Sequence, residues 1–365
     1  MENQWHGART IPVRLQRWLQ LAVESQASDL HLIVGNRPAL RLQGNLRELE
    51  EAELCSEDTR ELVANLCEPD AIVRFEGQKS LDFSFDYSGH SWSSRFRVNL
   101  FHCGRDIGAC LRVIPHAIPT FEWANFPTAL GQRLALLRDG LVILTGATGS
   151  GKSTSLAMIV NLLNQQGGYR IITVEEPVEY EFPKASHSIV TQLEVGRDVH
   201  SFADGLKYGL RQDPDVILVG EIRDKETAQM ALSAAETGHL VFSTLHTRDA
   251  KGAITRFADL FPQEAQSDIR AQLAMSLRSV VSQRLLPDAS GEVQRHLTLE
   301  VLFNTFPIAS AIRMGKIESI DNYIQTGRDD GMIGFDESIR RLYRAQKISR
   351  DTAEENMREP GSLNR

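Results

Sequence analysis

Cysteine is scarce in this chain: its 365 residues hold four, Cys55, Cys67, Cys103 and Cys110, and no two stand as Cys-x-x-Cys. That spacing suggests neither a zinc clip nor a redox dithiol, so four scattered buried thiols are expected. No apolar stretch approaches the about 18 residues of a membrane-spanning helix. The opening MENQWHGARTIPVR also lacks the apolar core of a secretory signal, and a cytosolic chain is expected. Excess positive charge is missing too, since 40 Lys and Arg face 48 Asp and Glu for a net charge of −8. Such a chain lacks the global field of a sequence-independent nucleic-acid binder, and no nucleic-acid partner is expected. What remains is an ordinary globular composition, 42% hydrophobic and 24% charged, long enough for two or three domains with their own cores.

Between Pro12 and Ala27, Leu15, Trp18, Leu19, Ala22 and Val23 recur at the spacing of one helix face. Leu30–Val34 and Ala39–Leu42 flank Gly35-Asn36-Arg37-Pro38, which predicts a hairpin. Leu81, Phe83 and Phe85, and again Phe96, Val98 and Leu100, alternate with polar residues as half-buried strands do. The period of two places Arg95, Arg97 and Asn99 on the opposite face, and the arginines are expected to point outward.

Pro115, Pro119 and Pro127, three of 13 prolines, crowd around HAIPTFEWANFP, a density that favours a linker. The expected organisation is an N-terminal domain over 1–115, a linker over 116–128, a core over 129–305 and a helical segment over 306–365. In the core, the apolar runs Leu141–Thr145, Ile171–Glu175, Val216–Val219 and Leu240–Thr244 alternate with helical stretches. That rhythm predicts an α/β fold with a parallel sheet and helical crossovers. A strand-like run over His296–Phe303 and a helical tail after Pro307 follow, and the polar end REPGSLNR is expected to fray.

The sharpest signal is Gly146-Ala147-Thr148-Gly149-Ser150-Gly151-Lys152-Ser153, a complete GxxxxGK[ST] between a predicted strand and an apolar helix beginning near Thr154. Glycines let backbone N–H groups turn inward around phosphate, and the helix adds its positive N-terminal end. Lys152 is then placed to reach the β and γ phosphates and Ser153 to offer a hydroxyl to Mg²⁺. The competing reading, a glycine-rich turn with a chance lysine, does not account for the flanking strand and helix.

Asp213–Asp224 contains a buried apolar strand that ends in Glu221. Ligands of open α/β sheets bind at such strand ends, where Glu221 could activate an attacking water; a solvated strand-end carboxylate is the alternative. Thr173–Tyr180 places Glu175, Glu176 and Glu179 at the end of another strand, where carboxylates could hold a metal's water shell. Alone that signal is weak, and Glu179 fits surface charge equally well. His246 follows the strand within GHLVFSTLHT and could belong to the same edge, although a lone histidine often only packs. His239 and His246 are too isolated from cysteine for a zinc site.

Taken in order, SDLHL, RFRVN, RVIP, GATGSGKST, TVEEPVEY, LRQDPDVILVGEIRD and ETGHLVFSTLHT resemble the type IV pilus retraction ATPases, the PilT and PilU group of secretion ATPases. The resemblance runs from about residue 12 to 350. It implies an N-terminal PAS-like domain, a RecA-like P-loop ATPase core with a helical C-terminal tail, and Mg²⁺ and ATP as cofactors. It also implies a homo-hexamer at the inner-membrane base of the pilus that works through a membrane platform protein, in some hosts beside a paralogous retraction ATPase. Carried over by position, Lys152 and Ser153 are Walker A residues, Glu221 the Walker B glutamate, Glu175 and Glu176 the Asp box, and His239 and His246 the His box. Arg97, Arg112 and Arg256 match arginines that approach the γ-phosphate. Cations that arrive as charge develops are what phosphoryl transfer needs, whereas two solvated strand arginines are the alternative for Arg97 and Arg112.

Two departures stand out. The Asp box normally reads Glu-Asp-Pro, and Glu175-Glu176-Pro177 moves the second carboxylate outward by a methylene. The family's AIRNLIRE segment is only partly kept over Ile308–Gly315, where Ala309 and Met314 replace charged positions, as in the accessory branch. Ile324-Gln325-Thr326-Gly327 instead resembles the principal branch. An extension or type II secretion ATPase, and an accessory nucleotide-binding ring subunit with little turnover, are the alternative functions.

Overall fold

The computed structural model describes residues 11–42, 44–67, 69–88, 93–114, 117–291 and 295–363. Pro115 at the end of the expected N-terminal domain, His116 at the start of the expected linker, and the first ten and last two residues of the chain lie outside them. The chain forms two compact units, one comprising residues 1–117 with Glu176–Glu181, the other Ile118–Glu175 with Phe182–Arg365. Inclusion of 176–181 in the first unit is not visible in the sequence.

The first unit runs α1 (Val13–Glu24), β1 (Asp29–Ile33), β2 (Ala39–Leu42), β3 (Asn45–Glu48), α2 (Ser56–Leu66), α3 (Pro69–Gln78), β4 (Ser80–Ser88), β5 (Ser93–Cys103) and β6 (Asp106–Ile114). Its six strands form an antiparallel sheet in the order β3-β2-β1-β6-β5-β4. The amphipathic pattern of α1 is realised as expected, with Leu15, Trp18, Leu19 and Ala22 buried. The predicted hairpin forms with Asp29 opposite Arg41, and Gly35 takes the positive φ its turn requires.

Arg95 departs from the outward reading. It is 6% exposed, because the segment 176–181 covers it: Nε donates to the Val178 carbonyl at 3.0 Å, and the guanidinium also meets Asp86, Glu181 and Ser84. The cysteines depart as well. Cys67 is buried and Cys110 half-buried, but Cys55 precedes α2 and Cys103 ends β5 at a turn, and both are exposed.

The second unit runs α4 (Thr128–Ala135), β7 (Gly140–Thr145), α5 (Lys152–Gln166), β8 (Arg170–Glu175), β9 (Ile189–Glu194), α6 (Phe202–Gly209), β10 (Val216–Val219), α7 (Lys225–Glu236), β11 (Leu240–Leu245), α8 (Ala250–Asp259), α9 (Gln266–Ser276), β12 (Leu277–Pro287), β13 (Arg295–Phe303), α10 (Phe306–Arg313), α11 (Ile320–Thr326), α12 (Phe335–Arg344) and α13 (Arg350–Asn356). The sheet order is β13-β12-β7-β11-β10-β8-β9. Every pairing is parallel except β12 with β13. Strands β7, β10 and β11 are buried throughout, as expected of parallel strands covered on both faces.

The C-terminal end is not frayed over its described part. Leu363 is 2% exposed and joins Leu286, Phe335, Ile339 and Met357 in a small satellite core, so apolar packing holds the chain after α13. Among the described residues no helix is long and apolar enough to cross a membrane.

Candidate active site

Strand order assembles the site. In the succession β7, β11, β10, β8, neighbours about 4.8 Å apart end at one edge of the sheet. The phosphate loop follows β7, His246 follows β11, Glu221 follows β10 and Glu175 closes β8. Four signals scattered over a hundred residues of sequence thus share one edge.

The loop is shaped by backbone that a side chain would spoil. Gly146, Gly149 and Gly151 take φ of 150°, 79° and 88°. A Cβ on Gly146 would lie 2.4 Å from the Gln283 carbonyl oxygen and 2.6 Å from Ser150 Oγ. Gly151 caps α5, whose first residue is Lys152. The lysine is 8% exposed, and its Nζ donates to the carbonyls of Gly146 at 2.9 Å and Ala147 at 3.1 Å, so its charge is held inside the loop. Ser153 is exposed and Thr154 half-exposed at the start of that helix.

Ser150 Oγ and Gln283 Oε1 are buried without a hydrogen-bond partner among the described residues. Gln283 Nε2 donates to the Ser150 carbonyl at 3.2 Å. A glycine-shaped loop, a helix N-terminus, a buried lysine and the unpartnered Ser150 hydroxyl, which can donate, fit an oxyanion such as a phosphate chain. Gln283 lies on β12, a strand the sequence reading did not single out; only its place beside β7 reveals it.

Glu221 is met from two sides. Arg223 Nη2 is 2.6 Å from Oε1, and His246 Nε2 is 3.2 Å from Oε2. Arg223 escaped the sequence reading although it belongs to the same GEIRD run. Glu175 Oε1 accepts hydrogen bonds from Thr173 Oγ1 at 2.7 Å and Gln192 Nε2 at 3.2 Å. Its neighbour Glu176 belongs to the first unit, so the pair read together from sequence is divided.

Four other residues are placed elsewhere. His239 precedes β11, and its carbonyl accepts from Gly140, the first residue of β7. It therefore sits at the opposite sheet edge, about 20 Å from the loop at about 3.3 Å per strand residue. There it lines a cavity of about 420 Å³ with Tyr169, Asp215 and Thr237. Within one chain His239 is not brought to the phosphate loop. Arg256 is exposed in the last turn of α8, carried about 9 Å along the helix from the site edge. Arg97 and Arg112 lie in the first unit, directly opposite each other on β5 and β6. Glu179 and Asp82 stand 3.7 Å from Arg97, so Glu179 is an ion-pair partner, and Asp29 accepts from Arg112 Nε at 2.9 Å.

A family model described as type II/IV secretion system protein matches residues 5–328. The chain is 39% identical to the type IV pilus retraction ATPase PilT of Pseudomonas aeruginosa, over 94% of this chain and 97% of that protein. It is 36% identical to the type IV pilus ATPase PilU of the same organism, over 93% and 88%. A crystal structure of the pilus retraction motor PilT with bound ADP superposes with a TM-score of 0.83 at 39% identity, covering 95% of this chain and 97% of that one. With a phosphate loop and an acid-bearing strand end on one sheet edge, and relatives matched over nearly their whole length, the chain belongs to the type II/IV secretion system protein family, in its PilT and PilU group.

Proposed function

We propose that this chain is an ATPase motor that powers type IV pilus retraction and twitching motility. The observation that carries the reading is the phosphate loop sharing a sheet edge with Glu221, in a chain 39% identical to PilT over 94% of its length. The proposed domains are those read from sequence: a PAS-like N-terminal domain over 1–115, a linker over 116–128, a RecA-like core over 129–305 and a helical segment over 306–365. The proposed assembly is a homo-hexamer at the cytoplasmic base of the pilus, acting through an inner-membrane platform protein, with a paralogous retraction ATPase as a further partner.

Magnesium-bound ATP supplies the scissile phosphoanhydride and a cation that offsets charge on the transferred phosphoryl group. Lys152 and the N–H groups of the loop hold the phosphates, and Ser153 offers a ligand to the cation. Glu221 orients a water and takes its proton, while His246 and Arg223 hold the carboxylate in place. Glu175 and Glu176 support the cation's water shell. Arg97 and Arg112 supply charge from the N-terminal domain, and His239 and Arg256 serve a neighbouring subunit of the ring. Gene deletion in a piliated host is expected to leave surface pili and abolish twitching. Loss of all surface pili would assign extension instead.

The worn AIRNLIRE stretch favours a second reading, an accessory ring subunit. Met314, one of its replaced positions, is 61% exposed and leaves that surface without the family's charge. Sustained phosphate release by the purified protein separates the motor from a scaffold that only binds ATP.

A further inference from the structure

The loop between β11 and α8 is tied at three successive points. His246 reaches Glu221; Thr247 donates its backbone N–H to Thr145 Oγ1 at 2.9 Å, with the two hydroxyls 2.7 Å apart; Asp249 Oδ1 caps α8 by accepting from Gly252 at 2.7 Å. Thr145 is the residue before the phosphate loop. The free side of this loop is held by the C-terminal tail. Arg358 Nη2 is 3.0 Å from Asp249 Oδ2 and 3.2 Å from Glu300 Oε2, and Nη1 is 2.6 Å from Asp321 Oδ1.

Glu300 is 1% exposed on β13, and its Oε1 accepts the backbone N–H of Ala250 at 2.8 Å. Two carboxylates that fix the start of α8 therefore share one guanidinium, and that guanidinium comes from the tail. The tail backbone is fixed in turn, since Arg358 and Glu359 donate their N–H groups to Asp336 at 2.8 and 3.0 Å. The seam beneath is polar: Ser282, opposite Glu300, and Thr298 keep buried hydroxyls with no partner among the described residues. Leu363 and Met357 seat the tail by apolar packing, Arg358 carries the tail's charge to the loop, and Arg284 of β12 donates to the carbonyls of Arg248 in the loop and Asn356 in the tail at 3.4 and 3.1 Å.

We infer that Arg358 is a positioning residue for ATP hydrolysis: by clamping Asp249 and Glu300 it fixes the start of α8, and through His246 and Thr247 it fixes Glu221 and the root of the phosphate loop. This rests on the proposed role of Glu221. A planar guanidinium suits the task because it serves several carboxylates in a set geometry, which an ammonium does not.

The test uses the full-length protein and ATP turnover across substrate concentrations. Arg358→Gln alone leaves Glu300 buried without its cation, so the informative variant is Arg358→Gln with Glu300→Gln, where the amide oxygen still accepts from Ala250. The double variant is expected to lose about tenfold or more in kcat with KM for ATP within about threefold. Arg358→Lys is expected to recover part of the loss. Amide exchange over residues 246–252 is expected to quicken about tenfold or more in the double variant. Wild-type kcat together with wild-type exchange in that segment overturns the proposal. If Glu221→Gln hydrolyses normally while exchange still quickens, the base assignment fails and the coupling stands; unchanged exchange sinks the coupling whatever Glu221 does.

Discussion

His246 Nε2 lies 3.2 Å from Oε2 of Glu221, although 25 residues and helix α7 separate them in sequence. Neighbouring parallel strands bring them together, and the opposite carboxylate oxygen is occupied by Arg223. A carboxylate held by two cationic or donating groups is aimed rather than free to rotate.

Glu221→Gln is accordingly expected to keep ATP binding while phosphate release falls by about 10²–10⁴, the usual worth of general base catalysis. His246→Ala should cost less, about ten- to a hundredfold, because it removes an orienting hydrogen bond to a charged group of about 1.5–3 kcal/mol. Hydrolysis at the normal rate by Glu221→Gln would remove its assigned role.

Lys152→Ala is expected to weaken nucleotide binding by about a hundredfold, or about 2.8 kcal/mol. Gly146→Ala should be comparably damaging without touching charge, because the methyl would meet the Gln283 carbonyl at 2.4 Å. Its φ of 150° adds backbone strain of about 1–3 kcal/mol. Titration with a fluorescent adenine nucleotide and a melting curve read the two effects apart.

Thiol labelling should be selective. Cys55 and Cys103 are exposed and should react with a maleimide at once. Burial pushes the Cys67 thiol up to about 12, so it stays protonated at neutral pH and should react only after unfolding. Burial also raises the Cys110 thiol, which should label slowly. Equal labelling of all four in the native protein would contradict this packing.

Burial raises the Glu300 carboxyl above its ordinary range, against the opposing pull of the Ala250 N–H and Arg358. The folded state thus holds a proton that the unfolded chain releases near pH 4.3. Stability is expected to gain a falling contribution from this group as pH rises from there toward the folded value. Glu300→Gln should flatten that part of the stability profile, measured by denaturant titration between pH 4 and 7; an unchanged slope would refute it.

Legibility followed range. The Walker glycines, the buried run Leu141–Thr145 and the helix after it were readable because each depends on spacing within about twenty residues. Arg95 was misread for the complementary reason. Strand alternation correctly placed it off the core face, but segment 176–181, eighty residues on, covers that face. The REPGSLNR end was misread likewise, because its polar composition hides that Arg358 answers three carboxylates from distant elements.

By itself the sequence determined the phosphate loop, the acid at the end of β10, the parallel strands and the family, since backbone conformation and periodic burial are encoded locally. Only the tertiary structure decided that His246 and Arg223 hold Glu221, that Gln283 backs the loop, that His239 stands at the far edge, and that the tail is anchored. Those facts depend on strand order and on charges meeting across long stretches of chain, where no local pattern specifies the partner.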